Sequence, residues 1–216
     1  MEPTRPHRPL RLAVFFSGGG STLQNLIDRI HEGTLNARIE WTLSSRKNGG
    51  GIEKSERAGI ECQVLPRKDF ASAESYSAAI NEILSNRPVD LIVLAGFMSL
   101  YRYPPQYAGR VLNIHPALLP AFGGKGMYGR RVHEAVLASG ARETGATAHI
   151  VDEEYDRGPI VLQESIPVLP GDTPEALAER VQALERKLYP QAIQLFAEGR
   201  VQIEGGQIRI LERSPS

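Results

Sequence analysis

Asp90-Leu-Ile-Val-Leu-Ala95 constrains the fold of this chain more than any other stretch. An apolar run with no polar break, closed by Gly96, has the composition of a strand buried on both faces. Strands of that kind belong to parallel sheets whose crossover helices cover both sides. The preceding residues supply the matching rhythm. Leu10 to Phe16 is a short β-rich run that empties into Ser17-Gly-Gly-Gly-Ser-Thr22, and Leu23, Leu26, Ile27 and Ile30 then fall on one helical face. Ile39 to Ser44 and Glu61 to Leu65 read as further strands, with a helix ending over Ser55 to Gly59 between them. Ala71 to Asn86 is an amphipathic helix that turns Tyr76, Ala79, Ile80, Ile83 and Leu84 inward and is closed by Pro88.

Beyond the buried run, strands are expected at Val111 to His115, Thr147 to Val151 and Ile160 to Ile166. A helix is expected over Arg130 to Ala138, closed by Gly140. Thr173-Pro174 starts a last helix whose stripe is Leu177, Val181, Leu184 and Leu188 and which Pro190 should break or kink. A hairpin about Gly205-Gly206 ends the chain. This alternation predicts an α/β, Rossmann-like fold: a mostly parallel twisted sheet of about seven strands with helices on both faces, plus a short C-terminal hairpin.

The 25 basic and 25 acidic side chains cancel, which leaves no basic footprint for nucleic acid. Cys62 is the single cysteine, so neither an internal disulfide nor a cysteine-based zinc site can form. Met1 to Pro9 carries prolines and charges where a signal peptide needs an apolar run, and no stretch reads as a membrane span. Residues 1–9 are expected to be a flexible tail and 10–212 a single domain of a cytoplasmic protein, monomer or homodimer. His133 is expected to be a solvated or satisfied residue of its helix, without a role.

The chemistry concentrates in a few places. Side chains alternate across a strand, so Asn113 and His115 of Val111-Leu-Asn-Ile-His115 share one face. An amide donor beside a group that changes charge near neutral pH suits a carbonyl that turns into an oxyanion. The sequence strand, glycine loop, helix presents backbone N–H groups and the positive end of a helix dipole to a phosphate, with Ser21 or Thr22 capping the helix and bonding the anion. The loop lacks the Gly-Lys-Ser/Thr of a Walker A motif, and Leu23 takes the place of the third glycine of the dinucleotide fingerprint, so a single small phosphate fits it best. Arg46 leaves an NADP 2′-phosphate site as a minor alternative. Phe97, Met98, Leu100 and Tyr101 follow the buried run at the end where open α/β sheets bind ligands, and they can wall a pocket for a flat aromatic molecule. Thr147, His149 and Val151 share a strand face that runs into Asp152-Glu-Glu-Tyr-Asp-Arg-Gly-Pro159, a loop from which a carboxylate can sit beside His115. Gln182 and Glu185 flank the stripe of the last helix and can reach a ligand at its edge.

Four of these segments, Phe16-Ser-Gly-Gly-Gly-Ser-Thr-Leu-Gln24, Leu94-Ala-Gly-Phe-Met98, Leu112-Asn-Ile-His-Pro-Ala-Leu-Leu-Pro120 and Asp152 to Pro159, occur in an order that resembles the glycinamide ribonucleotide formyltransferases, and the likeness covers nearly the whole chain. The resemblance implies the formyltransferase fold. It implies transfer of a formyl group from 10-formyltetrahydrofolate to the amine of glycinamide ribonucleotide, giving N-formylglycinamide ribonucleotide and tetrahydrofolate in de novo purine biosynthesis, with no metal and no ATP. It puts catalysis on Asn113, His115 and Asp156, with Asp156 favouring protonated His115 and Asp152 as the fallback acid. Phosphate binding falls on Gly19, Gly20, Ser21 and Thr22, and ribonucleotide contacts on Gln182 and Glu185. Folate contacts fall on Phe97, Met98, Ser99, Leu100, Val151 and Asp152, and support of the site on Thr147 and His149. Thr22 stands where the family often has asparagine, Ser99 to Pro105 is shorter than a common form, and Arg157 stands where glycine is frequent. Formyltetrahydrofolate deformylases share this core but usually add an N-terminal regulatory domain. Methionyl-tRNA formyltransferases generally add a C-terminal RNA-binding domain, and neither addition is expected here. An NADP-dependent reductase is the rival outside this chemistry, and it leaves the pairing of Asn113 with His115 without a purpose.

Overall fold

In the computed structural model, which describes residues 8–152 and 154–212, the chain forms β1 (Leu10–Phe16), α1 (Ser21–His31), β2 (Ala37–Ser44), α2 (Gly50–Arg57), β3 (Cys62–Val64), α3 (Ala73–Asn86), β4 (Leu91–Leu94), β5 (Val111–His115), α4 (Arg130–Ala138), β6 (Glu143–Ile150), β7 (Ile160–Pro167), α5 (Pro174–Ala197), β8 (Val201–Glu204) and β9 (Gln207–Ile210). Seven strands make one sheet in the order β3-β2-β1-β4-β5-β6-β7, and β8 with β9 makes a separate ribbon. β1 is parallel to β2 and to β4, and β2 to β3, whereas β6 is antiparallel to both β5 and β7. Two compact units result: the first runs up to Val111 and takes in Phe196–Glu198, and the second runs Leu112–Leu195 and resumes at Gly199.

In the first unit the reading of 90–95 holds, since every side chain of β4 is buried. Leu12 to Phe16 of β1 are wholly buried as well. The strand order reverses between β1 and β4, so this unit holds the switch point at which sheets of this class leave a crevice. The Phe15 ring lies 5.4 Å from Trp41, 5.6 Å from Phe97 and 5.5 Å from Tyr101, and Tyr76 stacks on Phe97 at 6.2 Å. α3 starts two residues later than its apolar pattern suggests, because Ser72 and Ser75 form a capping box there. Of the tail expected over residues 1–9, positions 1–7 lie outside the described residues, and Arg8 is tied to Asp90 by paired contacts of 2.8 and 2.9 Å.

In the second unit Ala117, Val132, Val136, Leu177 and Val181 form a buried cluster that locks α4 and α5 around the loop after β5. The stripe of α5 is inward throughout: Leu177, Val181, Leu184 and Leu188 are all buried. Thr173 Oγ1 accepts the Ala176 N–H at 3.2 Å, the cap the sequence announces. Pro190 does not break α5, which continues to Ala197. Leu188, Tyr189, Ala192 and Ile193 are buried on either side of it, and the Tyr189 hydroxyl donates to the Leu112 carbonyl at 2.8 Å, so packing holds the helix across the N–H that proline lacks. His133 also differs from its expectation. It faces inward at 3% exposure, because α4 turns the Val132–His133–Val136 side to the interior. The hairpin turn at Gly205 and Gly206 has φ of 56° and 79°, the positive pair that a two-residue turn requires.

Leu177→Ala removes side-chain volume from the cluster that fixes the loop after β5. It should cost about 2–5 kcal/mol of unfolding free energy, read from the shift of a urea unfolding midpoint.

Candidate active site

The antiparallel register of β5 with β6 sets Asn113 opposite His149 and His115 opposite Thr147. Asn113 Nδ2 lies 3.1 Å from His149 Nε2, and His149 Nδ1 lies 2.9 Å from the Ile150 carbonyl oxygen. A carbonyl only accepts, so Nδ1 carries the hydrogen and Nε2 offers its lone pair to the Asn113 amide. The amide is thereby held with its NH2 group oriented and one N–H still available. His115 Nε2 donates to the Phe122 carbonyl at 2.8 Å, which leaves Nδ1 as the nitrogen that titrates. That atom faces Asp156 Oδ2 at 3.6 Å, while Asp156 Oδ1 is 3.5 Å from His149 Nε2. Asp156 Oδ2 also accepts the Gly124 N–H at 2.9 Å. Thr147 supports the loop after His115, since its hydroxyl donates to the Ala117 carbonyl at 2.6 Å and accepts from the Leu119 N–H at 3.1 Å.

Between the two carboxylates that the sequence offered, the geometry separates cleanly. Asp152 Oδ1 accepts the Glu154 N–H at 3.0 Å and so closes a local turn, whereas Asp156 lies between the two imidazoles. Phe122 and Asp156 are the non-glycine residues with positive φ among the described residues, at 55° and 57°. Such conformations cost about 1–3 kcal/mol each and persist where surrounding bonds over-determine them. Here the Phe122 carbonyl is held by His115 and the Asp156 carboxylate by Gly124. A Cβ on Gly158 would stand 1.9 Å from the Ile150 carbonyl oxygen, so position 158 must be glycine. Arg157, where the resemblance leads one to look for glycine, points outward and pairs with Glu154 at 3.0 Å, leaving the acid undisturbed. A cavity of about 560 Å³ opens over this loop, lined by Leu119, Pro120, Gly123, Asp156, Arg157 and Ile160 among others.

Burial pulls the His115 imidazole below the ordinary histidine range, and His149 adds to the lowering; Asp156 and the Phe122 carbonyl pull the other way without overcoming it. Asp156 thus favours the charged histidine, as expected, but burial outweighs it. Burial also acts on Asp156, in the direction of raising it, and is overcome by its surroundings, His115 and the Gly124 N–H among them, so the carboxyl stays below the usual carboxylate range. On α5, Glu185 keeps an accessible edge, yet burial pushes its carboxyl up to about 7, with Arg186 partly offsetting. Gln182, one turn before it, is exposed.

In the first unit, the glycine loop ends at Gly20, which takes the helix N-cap position in the left-handed region at φ 69°, and neither Ser21 nor Thr22 caps. Both stand inside the first helical turn, where backbone N–H groups lack helical partners and no acidic side chain intrudes. A Cβ on Gly20 would meet the Gly51 Cα at 2.5 Å, so this glycine is dictated by close approach, while Gly18 and Gly19 face open space. The wall after β4 is narrower than expected. Phe97 and Tyr101 turn into the ring cluster around Phe15, which leaves Met98 exposed and Ser99 and Leu100 half-buried. Val151 and Asp152 of the second unit are half-buried. Sequence reasoning missed the Phe122 carbonyl, the Gly124 N–H and buried His133; for the first two, the glycine-rich turn that follows Leu119-Pro120 was the available signal.

An asparagine and a histidine of β5 thus meet a carboxylate from the loop between β6 and β7, and comparison with known proteins supplies the class: the chain belongs to the formyl transferase family, whose profile, described as "Formyl transferase", matches residues 10–193. Individual relatives are more specific. The chain is 37% identical over 196 residues to the phosphoribosylglycinamide formyltransferase of Haemophilus influenzae, covering 90% of both. The crystal structure of glycinamide ribonucleotide transformylase 1 from Symbiobacterium toebii superposes with a TM-score of 0.87 at 40% identity, covering 96% of each chain. The chain is also 42% identical to the trifunctional purine biosynthetic protein adenosine-3 of Homo sapiens over 92% of its own length, and it spans 19% of that protein.

His115 and His133 both have pKa values lowered by burial, so the unfolded chain binds their protons first as pH falls through about 6.5. Their contribution to stability is complete above that pH and is lost below it; Asp156, also lowered, adds a further loss only below about pH 4. The urea midpoint should therefore fall between pH 7.5 and pH 5, and His133→Phe should make that fall shallower. An unchanged slope in the variant would remove His133 from this account.

Proposed function

We propose that this chain transfers the formyl group of 10-formyltetrahydrofolate to the amine of glycinamide ribonucleotide, the final products being N-formylglycinamide ribonucleotide and tetrahydrofolate. The observation that carries this reading is the orientation of Asn113 by His149, which keeps one amide N–H free beside a histidine whose Nδ1 is the titrating atom. Two donors at that spacing suit the oxygen of a carbonyl under attack.

The substrate amine attacks the formyl carbon, and the new C–N bond forms as the carbonyl oxygen takes up negative charge. Asn113 Nδ2 and the Nδ1–H of protonated His115 bond that oxygen. Asp156, directly or through a water, takes the proton that the amine sheds and passes it toward the folate nitrogen, whose bond to carbon then breaks. One proton leaves the acceptor and one reaches the donor nitrogen, so no net acid or base is consumed. Asp156 is ionised and suited to accept; His115 brings its proton from solvent before the attack and keeps it throughout, so it lends a hydrogen bond without entering the proton balance. The reading calls for no metal, ATP or covalent intermediate.

Gly19, Gly20, Ser21 and Thr22 hold the substrate phosphate through backbone N–H groups and the α1 dipole. Glu185, near its midpoint at neutral pH, can both donate to and accept from ribose hydroxyls, with Gln182 beside it. Met98, Ser99, Leu100, Val151 and Asp152 receive the folate, with Phe97 backing that wall from the core. Thr147 and His149 keep the catalytic groups in place. No helix among the described residues is long and apolar enough to cross a membrane, and we place the reaction in the cytoplasm.

Supplying 10-formyltetrahydrofolate with and without glycinamide ribonucleotide tests the reading. Tetrahydrofolate should form only when the amine is present; formate release without it would assign a deformylase instead, and tight NADP binding with no turnover a reductase. Asn113→Ala should lower kcat by about 100 to 1,000-fold, as loss of one oxyanion donor does. Gly19→Ala meets no protein atom, so its thermal midpoint should be unchanged while KM for the ribonucleotide rises. An unchanged KM would take the phosphate off this loop.

A further inference from the structure

We propose that the Ser17 hydroxyl is a positioning group that couples the glycine loop to the turn after β4, so that occupancy of either strengthens binding at the other. The proposal rests on the reading of Gly19 to Thr22 as the phosphate site and of Met98 to Leu100 as part of the folate wall. Ser17 is the first residue after β1, and Gly96 to Met98 is the turn just after β4; these are the two sides of the switch point at which the strand order reverses.

Ser17 grips that turn twice. Its N–H donates to the Gly96 carbonyl at 3.1 Å, which extends the β-ladder by one step. Its hydroxyl oxygen then accepts the Met98 N–H at 2.8 Å, a bond beyond the ladder and made by the side chain alone. The same oxygen accepts the Ser45 hydroxyl at 2.6 Å, so the segments that leave β1, β2 and β4 meet on one atom. Ser17 is 2% exposed and Ser45 5%, which shields this junction from water. Between the two gripped positions, the Phe97 ring packs against Phe15 and Tyr76, which ties the turn to the core as well. Displacement of Met98 is passed to Ser17 through their hydrogen bond. On the other side Ser17 runs into Gly18 and Gly19, which face open space, and the Gly18 carbonyl is held by the Gly51 N–H at 3.3 Å. A ligand that fixes the glycine loop fixes Ser17, and with it the Met98 amide. Ser45 belongs to the junction but does not touch the turn, so its hydroxyl is dispensable for the coupling.

The test is a binding square with the whole chain: the Kd of tetrahydrofolate with and without saturating glycinamide ribonucleotide, and the converse titration. In the unmodified protein each ligand should tighten the other by the same factor, at least about fivefold, since coupling is reciprocal. Ser17→Ala should bring the factor below twofold, and Ser45→Ala should keep it. Met98→Pro removes the same hydrogen bond from its donor end and should also abolish the factor, which decides the matter if Ser17→Ala does not fold. Equal factors in the unmodified protein and Ser17→Ala overturn the proposal, as does independent binding of the two ligands to the unmodified protein. Loss of coupling in Ser45→Ala as well overturns the assignment to the Ser17–Met98 bond. Failure of the unmodified protein to bind one of the ligands overturns instead the reading of the loops beneath it.

Discussion

The register of β5 against β6 is the constraint from which the chemistry of the second unit descends. With Asn113 opposite His149 and His115 opposite Thr147, four polar side chains share one face of the pair of strands. A slip of one residue would send all four to the other face, because the side-chain period of a strand is two. The register also fixes what each partner does. His149 orients the amide of Asn113, and Thr147 holds the loop that carries the Phe122 carbonyl back to His115. Asp156 enters from a loop, and its place is secured by the Gly124 N–H in front and by the enforced glycine at 158 behind.

Much of this architecture was legible in the residues. The limits of β1 and α4 coincide with the sequence reading, and β4 is buried as its composition demands. Asn113 and His115 lie on one face because alternation in a strand is obligatory. The polar loop that closes the constellation was legible as a set of carboxylates, but only the fold distinguishes them: Asp152 is consumed by its own turn and Asp156 is not.

What the residues concealed has identifiable causes. Pro190 is a local helix breaker, yet the burial of Tyr189, Ala192 and Ile193 around it overrides the local penalty. His133 sits between Val132 and Val136 on a helix with charges at Arg130, Arg131 and Glu134, so its periodicity alone does not reveal which way it turns. Phe97 and Tyr101 look like a ligand wall because aromatic side chains serve both cores and pockets. Their destination depends on Phe15 and Tyr76, which are remote in sequence. The Phe122 carbonyl belongs to the main chain and leaves no trace in residue identity at all.

The ring cluster has an optical consequence. Trp41, the single indole of the chain, is 1% exposed and lies against Phe15, which in turn touches Phe97. Its emission is therefore that of a dry chromophore connected through two rings to the turn beside Ser17. The second unit holds no indole of its own, so a change in tryptophan fluorescence dates events in the glycine-loop unit and is silent about the carboxylate and imidazoles around Asp156.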